Sequence, residues 1–290
     1  MGVQFVRENI EMGRALRATP QQTAVETEVL LPGGLRDEVR VLYTDAAAGG
    51  LQAENTGNRV NVSGRVTFRA LYAQGDLTRV RSAEATSDFS RALLVPRADA
   101  AAEFQPQCEV TAVQARVFNG RLLLRAEMNV YAEAVSVREE AVVTTVQQED
   151  AQVLKHELTV QRTVGGGTAQ GLIRGEFEVS DALQAQEALL AQAEARVEDV
   201  IGGADGRAAV TGVIDLSACF ASNLAGRPLV YAQYSLPFEQ MVALGGEAGD
   251  MLSAFASVSD VAVAQAESRT TTTLRKIAVC NLPVPISPSS

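Results

Sequence analysis

The chain has 290 residues, 47% of them apolar, with 35 acidic against 25 basic side chains and a formal net charge of −10. That length suits two domains. The acidic balance, without any basic run, excludes a general phosphate-backbone binder, which needs clustered Lys and Arg to displace counterions.

In chain order, the N-terminus MGVQFVRENIEMGRAL puts charges where a signal peptide needs an unbroken apolar core. Val6 stands where a myristoylation site needs Ser or Thr. No apolar stretch approaches the ~20 residues of a membrane span. The expectation is a protein that is cytoplasmic when synthesised, with no membrane span and no export by the general route.

Residues 35–54 hold a β-branched run and Gly49-Gly50, so they do not suit one continuous helix. In RVNVSGRVTFRALY, Val60, Val62, Val66 and Phe68 share one parity, the mark of a half-buried strand. Val113, Ala115 and Val117 share a face in 108–117. Asn119-Gly120 then separates two alternating runs, a strong signal for a type I′ hairpin. Turn-type breaks recur at 55–58, 74–76, 202–206 and 223–226. Residues 138–152 read as a short, ordered, acidic connection. Residues 181–201 are rich in Ala, Leu, Gln and Glu and carry helix propensity. Matched against 35–54, they read as a short helix near 181–189 followed by a strand. The Pro- and Ser-rich end, LPVPISPSS, reads as extended or frayed.

The chain repeats itself. At an offset of 148, Gly64 meets Gly212, Val62 meets Val210, Arg59 meets Arg207, Ala70 meets Ala218 and Tyr72 meets Phe220. Upstream, FVRENIEM (5–12) meets VLKHELTV (153–160). One residue is added after Tyr72, so Phe89 meets Phe238, and the offset of 148 resumes with Arg121 on Arg269. The expected fold is mainly β: two homologous β-rich modules, sandwich- or barrel-like, each with a short helix. The first spans 1–147 and the second, more divergent, 148–290. Matched aromatics in alternating strands, Tyr72 with Phe220 and Phe89 with Phe238, point to matched cores, with a shared ligand groove as the alternative.

Chemistry is sparsely signalled. His156 is the single histidine, with no second to complete a metal site or a relay. Cys108, Cys219 and Cys280 are too far apart for a zinc spacing and odd in number for a disulfide framework. They read as small buried hydrophobes. Gly165-Gly166-Gly167 lacks the Gly-Lys-Ser/Thr ending of a phosphate cradle. Glu139-Glu140 and Glu149-Asp150 read as solvated charge. No catalytic, cofactor-binding or metal-binding residue is nominated, and no cofactor is implied.

The doubled order of motifs carries a resemblance. It comprises GNRVNVSGRVTFRALY (57–72), SDF (87–89) and NGRLLLRAEMNV (119–130). The second set is DGRAAVTGVIDLSACF (205–220), LPF (236–238) and ESRTTTTLRKIAV (267–279). This resembles the SPOCS domain family of SipL-like spore coat assembly proteins, here in two copies. Longer members carry a further copy and a LysM domain, neither of which follows in this sequence. The second copy departs from the family's Leu-Tyr with Cys219-Phe220. The resemblance implies a non-catalytic structural or adaptor protein of the spore coat, placed on the forespore surface. It also implies contact with a SpoIVA-like coat scaffold. Self-assembly and a glycan- or other ligand-binding module are the other roles a repeated β module suits; the absence of Trp counts against sugar stacking.

Overall fold

The structure is a computed structural model. It describes residues 4–32, 39–75, 79–95, 102, 104–147, 167–203, 205–244, 252–258, 260–266 and 275–287. Among these residues there are fourteen strands, with 3₁₀ geometry at Pro32 and at Asp181–Leu183. The mainly β expectation holds.

The first seven strands are β1 (Gln4–Arg17), β2 (Gln21–Leu30), β3 (Val39–Asn55), β4 (Arg59–Gln74), β5 (Val80–Leu94), β6 (Gln105–Phe118) and β7 (Arg121–Gln147). All their ladders are antiparallel. β3, β4 and β5 form a meander. β7 is the spine of the facing sheet, with β6 along one edge and β2, then β1, along the other. The two sheets close on a shared core. Val60, Val62, Val66 and Phe68 from β4 meet Leu122, Leu124, Met128 and Val130 from β7. Each such side chain, fully buried, contributes roughly 1.5–3 kcal/mol. Asn119 and Gly120 both have positive φ, as a two-residue type I′ hairpin requires.

The second set is β8 (Gly167–Glu178), β9 (Ala185–Gly202), β10 (Arg207–Leu224), β11 (Arg227–Ala243), β12 (Ser253–Ala254), β13 (Asp260–Ala266) and β14 (Arg275–Ser287). β9, β10 and β11 repeat the meander, and β14 is the spine of the facing sheet, joined by β8, β12 and β13. Two apolar clusters fill this sandwich, around Ile214 and Phe238 and around Phe177 and Phe220. β8 closes against β11 through small residues. A Cβ at Gly167, Gly171 or Gly175 would collide with Ala243, Gln240 or Leu236 respectively.

Three sequence expectations are corrected. The helix expected near 181–189 shrinks to one 3₁₀ turn, because Gln184 turns left-handed and β9 starts at Ala185. From there Ala191, Ala193, Ala195 and Val197 enter the core by period two, which overrides their helix propensity. The counterpart in the first copy, 33–41 at the same offset, lies mostly outside the described residues: Pro32 before it is 3₁₀, 33–38 are not described, and β3 begins at Val39. Residues 138–147 are no connection; they are the far half of β7. Finally, Arg121 pairs with Leu30 and Phe118, whereas Arg275 pairs with the equivalents Glu178 and Ala266. The structural counterpart of Arg121 is therefore Arg275, because the second hairpin holds eight residues between β13 and β14 where the first holds two. The Pro-rich end is extended: Leu282–Ile286 pair with β8, and Pro283 and Pro285 lie opposite the break between β12 and β13.

Candidate functional site

Two surfaces stand out. The first is a ribbon. β6 stops at the pair Gln105↔Glu133, while β1 and β7 continue from Arg17↔Glu133 to Gln4↔Gln147. At ~3.3 Å per residue the ribbon extends about 45 Å beyond that point. Among the described residues no strand pairs with the outer edge of either member. Phe5 is 56% exposed, and Val6, Val142 and Val143 near it are exposed as well. Open edges of this kind are templates for strand addition.

The second surface is the junction of the two sandwiches. Leu71, Ala73 and Val80, on the outer face of the first meander, meet Leu189, Leu190, Cys219, Ala221 and Leu229 of the second. Beside this apolar contact, Gln192 Nε2 donates to Tyr43 Oη at 2.9 Å and to Asp45 Oδ2 at 2.8 Å. Further out the faces part around a groove of about 450 Å³, bordered by Asp45, Arg69, Glu194, Asp215 and Ser217. Arg69 Nε donates to Glu84 at 3.4 Å.

The residues weighed for chemistry scatter. His156, Gly165, Gly166, Glu149 and Asp150 lie outside the described residues. Gly167 opens β8 and packs on Ala243. Glu139 is an exposed position of the ribbon, and Glu140 follows it in β7. Cys280 lies in β14. Cys108 lies in β6, its Sγ 3.7 Å from Met128 Sδ, and burial pushes its thiol up to about 11. Burial also raises Cys219, at the junction. Among the described residues no group of three His, Cys, Asp or Glu side chains could hold a metal ion. Nor is any helix there long and apolar enough to cross a membrane. The matched aromatics Tyr72, Phe220, Phe89 and Phe238 are all buried.

These thiols supply a test of packing. Only the thiolate attacks alkylating reagents, so Cys108 in the native chain is expected to react far more slowly at pH 8 than in denaturant. The sign of the linkage follows. A thiol raised from 9.0 to about 11 stabilises the fold fully below pH 9, and that contribution is lost as pH rises through about 11. Mass-resolved labelling checks it; equal rates in native and denatured chain would show that Cys108 is not packed.

Sequence reasoning missed the junction, because Leu71, Ala73 and Val80 alternate like any strand and only their outward parity marks them. No family model, curated protein or solved structure matches this chain.

Proposed function

We propose that this chain is a non-catalytic structural or adaptor protein of the bacterial spore envelope that acts through protein–protein contacts in coat assembly. The observation that carries the contact role is the ribbon of β1 and β7, with two edges unpaired among the described residues and exposed Phe5, Val6, Val142 and Val143. A strand of a partner can complete its hydrogen bonding while exposed apolar side chains become covered. An isolated two-stranded ribbon is marginal in water, so a partner also stabilises it. The spore setting, the forespore surface and a SpoIVA-like scaffold as partner come from the resemblance of the doubled motif order to the SPOCS family.

The test is the location of a fluorescent fusion in the native host through sporulation. A shell around the forespore, dependent on the coat scaffold, is expected. Diffuse signal throughout sporulation would overturn the envelope role, and ligand screening would then replace it.

A further inference from the structure

The junction uses the same positions from both halves. Ala73 pairs with Val80 across the end of the β4–β5 ladder, and Ala221 pairs with Leu229 at the same place in β10–β11. Leu71 and Cys219 stand two residues before those alanines on the same faces. All six side chains belong to one cluster. The contact is thus close to isologous, each half presenting the patch that the other presents, as in a two-fold dimer. β9 adds Leu189 and Leu190 on one side only.

Two further observations bear on how the contact is held. The junction cluster shares no residue with the clusters that fill either sandwich. Separating the halves therefore uncovers the patches without opening either core. Among the described residues the first half's strands end at Gln147 and the second half's begin at Gly167, and the chain joins the halves through the residues between them.

We propose that this patch is a self-association surface, and that its occupant in an assembly is the patch of a second copy of this chain. In the exchanged dimer the first sandwich of each chain docks on the second sandwich of the other. Every junction contact, including Gln192 to Tyr43 and Asp45, is made again between chains. The contacts being the same in both forms, the balance is set by the effective concentration of the tethered half against the concentration of chains. The inference goes beyond the spore-envelope reading and does not depend on it.

The experiment is refolding of the full chain from denaturant over a wide range of concentration, with the mass read by light scattering after size exclusion. A dimer whose share grows with the refolding concentration is expected. Tagged and untagged chains refolded together co-purify. Ala73→Glu and Ala221→Glu each put a carboxylate into the apolar junction and abolish the dimer, with the β signature retained in circular dichroism. Should either unfold, Leu229→Glu places the carboxylate from the paired strand of the same patch; by removing the contact that both closed forms share it leaves the chain open and is likewise expected to abolish the dimer. A single-chain mass at every refolding concentration overturns the proposal, as does a dimer that these variants leave undiminished. Neither result bears on where the protein resides in the cell.

Discussion

Gly212→Val is expected to destabilise the second sandwich by about 3 kcal/mol or more, at or above the top of the range for overpacking. A Cβ at this position meets the carbonyl oxygen of Arg196 on the neighbouring strand. It also comes within 2.8 and 2.9 Å of the Phe238 ring, which lies across the glycine from the paired strand. Backbone on one side and a buried ring on the other leave no cheap relaxation, and valine adds two methyl groups. The equivalent Gly64 faces Phe89 in the same cross-strand pairing. Its nearest neighbour is Leu51 Cδ2 at 2.7 Å, the end of a flexible side chain, and the Phe89 ring is at 3.0 Å. Gly64→Val is therefore expected to cost less than Gly212→Val. Urea unfolding of the two variants measures both, and equal midpoints would refute this account of the glycines. An aromatic laid over a strand glycine covers backbone that would otherwise be bare, which explains why the Gly–Phe pair stands in both halves.

Phe220→Ala is expected to cost roughly 3–5 kcal/mol, the usual range for deleting a buried aromatic. Phe220 is 0% exposed and packs in a cluster with Phe177, Leu216 and Val230. The Phe177 ring is itself stacked on Tyr234 at 3.9 Å between centroids, and Tyr234 Oη donates to the Glu178 carbonyl at 2.7 Å. That arrangement holds the surrounding walls in place, so the space left by the ring cannot collapse fully. Phe118→Ala is the control. Phe118 is 63% exposed beside the first hairpin, and its loss is expected to fall within about 0.5 kcal/mol of zero, as for most surface substitutions. Comparable destabilisation by the two substitutions would mean that Phe220 is not a core residue.

Much of this architecture was legible without coordinates. Period two in 60–68 placed Val60, Val62, Val66 and Phe68 inward, and all four are buried. Asn119-Gly120 marked a hairpin because few other residues accept positive φ at two successive positions. The pairing of Gly64 with Gly212, and of Phe89 with Phe238, survives as the same cross-strand contact in each half. Each of these signals is local: alternation, turn chemistry and a missing Cβ act within one strand or between strands joined by a short turn.

The rest depended on distant contacts. Ala185–Gly202 has a helix former's composition, yet β10 and the facing sheet take its alternate residues into a core and hold it as a strand. The long second hairpin displaced Arg275 into the place of Arg121, which identity matching assigned to Arg269, since ladder register follows hydrogen bonding and not residue type. The outward faces of β4 and β10 carry the same alternation as any other sheet face. That Leu71, Ala73 and Val80 meet Cys219, Ala221 and Leu229 was decided only when two complete sandwiches came together. Strand periodicity records which side of a sheet is apolar, but burial of an outer face depends on a surface far away in the chain, and no spacing within one strand encodes which surface that is.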